Sequence, residues 1–320
     1  MDPLSDVLSL LKPQNYMSAG FDAGGAWSVH FPDQEGNVKT GAVVSGRCWL
    51  AVDGVADAVR LEEGDCFLLP RGRPFRFASD MALPPVEART IFLAASNGGI
   101  VTHNGGGDCF LVSSRFALAG NQSGILLATL PAIVHIRKES DQPALRWSVE
   151  RMMQELRERR PGGFLVMQHL AHLMLIEALR LQLRDGLRGV GWLSALADKQ
   201  IGAAINAMHD DPAHGWTLQE LAQRAAMSRS TFALKFKKTV GETPLEYLTR
   251  WRMLLAGDRL TGSGDPISVI ALSLGYESES AFSTAFKRVM GRSPRQYGRG
   301  RNPAARPNAD RAELLAAARR

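Results

Sequence analysis

Apolar residues recur at helical spacing in two stretches of the C-terminal half. Phe232, Phe236 and Val240 stand at i, i+4 and i+8, and so do Phe282, Phe286 and Met290, so each stretch predicts a helix with one buried stripe. These stripes lie inside a longer repeat. Leu221 to Tyr247 reads LAQRAAMSRSTFALKFKKTVGETPLEY, and Ile270 to Tyr297 reads IALSLGYESESAFSTAFKRVMGRSPRQY. A shift of 50 places sets Phe232 on Phe282, Phe236 on Phe286, Lys237 on Lys287, Gly241 on Gly291, Pro244 on Pro294 and Tyr247 on Tyr297. Upstream the shift is 49, Ala222 on Ala271, so the second copy carries one extra turn residue. Two copies of one supersecondary unit follow. In each, a short apolar helix ends in a turn, and Ser228 or Ser278 is placed to cap a second helix, which is the pattern of a helix-turn-helix.

The faces opposite the stripes are polar and basic. They carry Ser230, Leu234, Lys237 and Lys238 in the first copy, and Ser280, Thr284, Lys287 and Arg288 in the second. Short hydrogen-bonding groups near a helix start, followed by cations, suit base edges first and phosphates further along. Ser230 and Ser280 sit where either capping or base contact is open to them. Between the copies, Thr243 as N-cap and Pro244 at the first helical position start a helix that Gly262 stops. About 18 residues at about 1.5 Å each make a rod of roughly 27 Å. Such a rod can hold two recognition helices about one DNA turn apart, roughly 34 Å.

The N-terminal half has another texture. After a short helix over residues 4 to 11, the runs WSVHF, GAVVSG, CWLAVDG, AVRLEEGDCFLLP and PFRF are cut by Gly, Asp and Pro between Ala26 and about Phe77. They predict close-spaced strands of a small barrel or sandwich. Residues 96 to 109, SNGGIVTHNGGGDC, read as a Gly-rich flexible loop without the Lys-Ser/Thr ending of a phosphate loop. Cys109 to Phe116 reads as one further strand, and Ile125 to Ile136 leads into the helical region. Helices follow at about Gln142 to Arg157 and Gly162 to Leu187, divided by RERRPGG. Trp192 to Asp198 reads as a linker, and a further helix runs near Lys199 to His209.

The paired motif, from WTLQELAQRAAMSRSTFALKFKK to SAFSTAFKRVMGRSPRQY, closely resembles the AraC family of bacterial transcription regulators over roughly residues 199 to 299. GRCWLAVDG with LEEGDCFLLPRGRPFRF resembles the cupin-like sensor half that many of its members carry. The resemblance implies base contacts at Ser230, Ala233 and Leu234, and at Glu279, Ser280, Ser283 and Thr284. Many members have Arg where this chain has Leu234, whose alternative partner is a thymine methyl. It also implies a dimer contact through the helices after the barrel, with Leu165, Leu170, Leu173, Leu175, Ile176, Leu179 and Leu183 as candidates. Packing of those residues within the chain is the alternative.

The expected fold is therefore α+β in two domains: a cupin-like β-barrel with following helices over 1–190, including a helical dimerisation region at about 142–188, and an all-α domain with two helix-turn-helix motifs over 191–300. A flexible basic tail over 301–320 follows. Charge agrees with this division. Residues 199 to 320 hold 19 of the 38 Lys and Arg against 11 of the 32 Asp and Glu, a net +8, which leaves −2 for the rest. A basic half suits phosphate neutralisation.

Enzyme chemistry finds little support. Cupin enzymes hold a metal with histidines and a Glu, yet no His lies between Gly46 and Gly64, and Phe75 follows PRGRP where a His is expected. His30 and His103 stand alone, and His169 with His172 lacks a third ligand, so neither metal nor cofactor is expected. Three cysteines, Cys48, Cys66 and Cys109, without CxxC spacing speak against a disulfide framework or zinc site and for a reducing cytoplasm. The apolar stretch Phe164 to Leu183 contains Gln168, His169, His172, Glu177 and Arg180, which suits a buried helix better than a membrane span.

The expected site is Ser230, Thr231, Ala233, Leu234, Lys237 and Lys238 with Glu279, Ser280, Ser283, Thr284 and Lys287, engaging double-stranded promoter DNA. The expected function is a homodimeric regulator answering a small-molecule effector, with RNA polymerase as partner if it activates. The alternative is a thiol-based redox sensor using Cys48, Cys66 or Cys109.

Overall fold

The computed structural model describes residues 2–34, 36–92, 99–118, 127, 130–137, 142–184 and 191–299. The chain divides into two compact units, Pro13–Leu181, and Met1–Lys12 together with Gln182–Arg320.

In the first unit two sheets enclose an apolar interior. One has β1 (Gln14–Ala23), β3 (Val38–Ser45), β6 (Cys66–Leu69), β9 (Gly99–His103), β10 (Cys109–Ala117) and β11 (Val134–Ile136), in the order β11-β6-β3-β10-β1-β9. The other has β2 (Ser28–Phe31), β4 (Arg47–Val52), β5 (Val59–Glu62), β7 (Phe75–Ala78) and β8 (Val86–Glu87), in the order β5-β4-β7-β2-β8. The period of two along each strand sends Phe21, Val43, Leu50, Phe67, Phe75, Phe77 and Leu111 into one shared core. Gly46 lets the chain pass from β3 to β4. Its φ of +75° is open to glycine, and a Cβ there would lie 1.9 Å from the Asp108 carbonyl oxygen.

Helix α2 (Ala88–Phe92) packs beside β2 and β8, and α3 (Pro143–Glu158) packs on β1, β9 and β10. The break at RERRPGG is built from two left-handed residues, Arg159 (φ 47°) and Gly162 (φ 81°), before α4 (Gly163–Arg184). On α4, His172 faces the carbonyls of Gln168 at 2.7 Å and Pro13 at 2.6 Å, so both ring nitrogens are occupied. Among the described residues no group of three His, Cys, Asp or Glu is placed to hold a metal. Also among them, Gly163–Leu183 is long and apolar enough to cross a membrane, but its Met167, Leu170, Ala171, Met174, Leu175, Ala178 and Leu179 are buried inside the protein.

Three expectations need correction. The Gly-rich stretch contains a strand: Ile100, Val101 and Thr102 pair in parallel with β1, and the glycines on either side had hidden that short β-branched run. Trp192 to Asp198 is no linker. Trp192–Ala197 forms helix α5, buried through Trp192, Leu193 and Ala195. Residues 2 to 12, expected with the barrel, belong to the helical unit, because α1 (Pro3–Leu11) packs Val7, Leu10 and Leu11 onto it. Of the α4 residues proposed for a dimer, Leu170, Leu175 and Leu179 are spent within the chain, while Leu165 is 58% exposed beside Phe164 at 60%. The expected tail, 301–320, lies outside the described residues, as do residues 185–190.

The helical unit continues with α6 (Lys199–Asp210), α7 (Leu218–Arg224), α8 (Arg229–Val240), α9 (Pro244–Gly262), α10 (Ile267–Leu272), α11 (Glu279–Met290) and α12 (Pro294–Arg299). Helix α9 has buried residues around its circumference, from Tyr247 and Trp251 to Met253 and Ala256, because a helical repeat packs on each side of it.

Candidate nucleic-acid interface

Each repeat closes its turn in the same way. Met227 N–H donates to the Ala222 carbonyl at 2.9 Å, and Tyr276 N–H to the Ala271 carbonyl at 3.0 Å. The left-handed turn residue is Ala226 (φ 51°) in one copy and Gly275 (φ 78°) in the other. These pairs keep the shift of 49, so the extra residue of the second copy is Glu277, just before the cap.

The caps are Ser228 and Ser278. Their hydroxyls accept from the backbone N–H of Thr231 at 3.3 Å and of Ala281 at 3.2 Å. Ser230 and Ser280 are thereby released from capping and stand exposed one turn into the surface. Phe232, Phe236, Phe282 and Phe286 are all fully buried, and each pair meets a tyrosine edge-on: Phe236 with Tyr247 at 5.9 Å, Phe286 with Tyr297 at 5.4 Å. These rings fix the roll of α8 and α11, so that the same positions of both helices face out.

Residues 231–238 and 281–288 have the same sequence of exposed, buried and intermediate positions. Ser230, Thr231, Leu234, Lys237 and Lys238 are exposed on α8, as are Glu279, Ser280, Thr284 and Lys287 on α11, with Ala233 and Ser283 partly covered. Leu234 is 74% exposed, an apolar group alone in a polar face. Thr284 turns its hydroxyl back to the Ser280 carbonyl at 3.0 Å, and Glu279 lies 4.0 Å from Arg295.

The cations divide into two kinds. Lys235 is held by Asp198 at 2.7 Å and Gln200 at 3.0 Å, inside the unit. Lys237, Lys238 and Lys287 have no such partner among the described residues and remain available to an outside anion. Arg288 occupies the place of Lys238 in the second copy and is equally exposed. The expected site omitted it, although the repeat shift alone identifies the position.

The scaffold behind these faces is polar as well as apolar. Thr243 and Glu246 form a reciprocal cap at the start of α9, with Thr243 N–H donating to the Glu246 carboxylate at 2.9 Å. Deeper in, the His209 side chain is fully enclosed, stacked on Trp251 at 3.9 Å, with Nε2 2.9 Å from the Tyr247 hydroxyl and Nδ1 3.2 Å from Asp6. Burial pushes its pKa down to about 3, so the ring is neutral at physiological pH. Its Nδ1–H then donates to the Asp6 carboxylate while Nε2 accepts from Tyr247. This network ties α1 to α6 and α9 behind the first recognition helix.

Residues 2–184 match the cupin family and residues 221–300 match the helix-turn-helix domain family. The chain is 45% identical over 299 residues to an AraC-like transcription regulator of Streptomyces antibioticus, covering 93% of this chain and 98% of the relative. It is 30% identical over 306 residues to the HTH-type transcriptional regulator AlkR of Acinetobacter baylyi, covering 93% and 99%. Among solved structures, the DNA-binding domain of AdpA in complex with a target DNA is 30% identical over 33% of this chain and 95% of that one, with a TM-score of 0.30. The chain belongs to the AraC-like family of DNA-binding transcription regulators, proteins that are not enzymes, and joins a cupin unit to a helix-turn-helix unit.

Proposed function

We propose that α8 and α11 read two adjacent major grooves on one face of an operator, and that a small molecule held by the cupin unit sets how they engage it. The observation that carries this is the matched exposure of two capped helices rolled alike by their buried phenylalanines. Ser230, Thr231, Ala233 and Leu234, with Glu279, Ser280, Ser283 and Thr284, are the base-facing set. Leu234 suits a thymine methyl, and Lys237, Lys238, Lys287 and Arg288 suit phosphates. A homodimer joined through exposed Trp147, Phe164 and Leu165 fits this reading, as does RNA polymerase contact at an activated promoter in the cytoplasm.

Footprinting of the full-length protein on a selected duplex tests the groove assignment. Protection at two sites about 10 base pairs apart on one face is expected, and protection of a single groove overturns it. Lys237→Ala and Lys287→Ala should each weaken binding on every sequence and lower the salt slope by about one. Unchanged slopes remove the phosphate role.

A second reading, thiol sensing, gains from one contact. The Cys48 and Cys109 thiols hydrogen-bond to each other in the barrel core, which holds the Cys109 pKa down and the Cys48 pKa up. Cys66 lies apart from this pair, and burial pushes its thiol up to about 12. Hydrogen peroxide would take two electrons and two protons from the pair, leaving a disulfide and two waters. Peptide mapping should then find Cys48 joined to Cys109 with Cys66 reduced, and DNA affinity should change in wild type but not in Cys48→Ser. Oxidation that spares the pair, or leaves affinity unchanged, ends this reading.

A further inference from the structure

The two recognition helices open on side chains of opposite sign. With Ser228 and Ser278 as caps, α8 begins at Arg229 and α11 at Glu279, and the repeat shift of 50 sets one on the other. Both side chains are exposed, each next to the serine that capping leaves free, Ser230 or Ser280. Their surroundings differ as well. Glu279 lies 4.0 Å from Arg295 on α12, whereas the same shift puts Leu245, an apolar residue that is 46% exposed, at the position of Arg295. Among the described residues Arg229 has no hydrogen-bond, ion-pair or ring partner.

Helix stability explains only one of these two residues. The N-terminus of a helix carries partial positive charge, so Glu279 is favoured where it stands and Arg229 is opposed. No acidic residue in the first turn of α8 offsets that opposition. Base edges supply a reason for both. In the major groove guanine presents two acceptors, O6 and N7, which the planar guanidinium spans with two N–H groups. Cytosine presents the N4 amino donor, which suits a carboxylate, a group that can only accept. Adenine also offers a donor, but its N7 acceptor stands beside it and faces a carboxylate with like polarity.

We propose that Arg229 and Glu279 set opposite base preferences at equivalent points of the operator, guanine under α8 and cytosine under α11, so that the two half-sites are not interchangeable. This rests on the reading that both helices enter major grooves. A carboxylate on a DNA-facing surface is repelled by phosphates and lowers affinity unless a base donor meets it. Arg295 offsets part of that repulsion for Glu279. Arg229 is drawn to the same surface and needs no counter-charge, which agrees with Leu245 at the matching position.

The test is selection of bound duplexes from a randomised pool by the full-length protein at fixed salt. Wild type should select two elements about 10 base pairs apart. Arg229→Gln should lose a guanine preference at one base pair of the first element, and Glu279→Gln a cytosine preference at one base pair of the second. Each should gain adenine there, because an amide reads N6 and N7 together. On the wild-type duplex each change should weaken binding about tenfold, and on a duplex carrying adenine at that base pair much less. Arg229→Gln should melt no lower than wild type, since it relieves the helix end. If Arg229→Gln weakens every duplex alike, the guanidinium touches phosphate and the guanine assignment falls. If Glu279→Gln lowers the melting temperature yet selects the same bases, Glu279 serves the helix end alone and the cytosine assignment falls. Both of these results leave the two-groove reading standing. Selection of one element or none by wild type overturns that reading and the proposal together.

Discussion

Gly275→Ala is expected to destabilise the helical unit by about 3 kcal/mol and to abolish operator binding near the melting temperature, which should fall by roughly 10 °C. Two costs combine. An alanine at φ 78° meets the left-handed penalty of about 1–2 kcal/mol. Its Cβ would also lie 2.1 Å from the Ala213 carbonyl oxygen, and backbone cannot step aside as a flexible side chain can. The 212–214 segment is itself pinned, since Arg252 donates to the Pro212 carbonyl at 2.6 Å and the His214 carbonyl at 2.8 Å. Moving it would disturb α9, on which both repeats are hung. The other copy supplies the control. Ala226 occupies the matching left-handed position at φ 51° and is exposed, so Ala226→Gly should be neutral or gain up to about 1 kcal/mol. Denaturant unfolding followed by the signal of Trp251 would measure both. Effects of equal size and opposite sign would mean that the turn, and not its packing, sets the cost.

Lowering the pH from 7.5 to 5 is expected to cost the helical unit about 2 kcal/mol through His209 alone. The sign follows from the direction of the shift. His209 has a folded pKa pushed down to about 3, below its ordinary value near 6.5, so the unfolded chain binds the extra proton more readily than the folded one. Stability is therefore complete above about pH 6.5 and is lost progressively as pH falls from there toward about 3. Protonation would also place a donor at Nε2 against the Tyr247 hydroxyl and a charge on the Trp251 stack. In His209→Gln, which cannot take up the proton, the stability of the unit should be lower at pH 7.5 but nearly flat down to pH 5. A variant with the wild-type slope would assign the acid sensitivity elsewhere.

The helical unit was legible because its signals are local and duplicated. Ser228, Ser278, Thr243, Pro244 and the paired phenylalanines each mark a start, a stop or a buried face within a few residues, and the second copy repeats what the first says. Strands β2 to β7 were legible from apolar runs cut by turn residues. The misses have a common cause in partners that are distant in sequence. Strand β9 is short and Gly-flanked, and only pairing with β1 makes it a strand. The apolar side of α1 announces that it will be buried but not against what. Within the candidate site, the exposed faces were readable from helical spacing, while the release of Ser230 and Ser280 from capping needed the actual hydrogen bonds of Ser228 and Ser278.

That α1 completes the helical unit also bears on how the protein is made. Lys12 and Asp258 are 246 residues apart in sequence, so the ribosome releases the first helix long before its docking surface exists. Until α6 and then α9 emerge, Val7, Leu10 and Leu11 have no surface to cover, and loop closure of that length is slow. A nascent chain with a finished barrel is thus still without a finished DNA-reading unit, and an amino-terminal extension or early truncation would be felt first at the far end of the polypeptide.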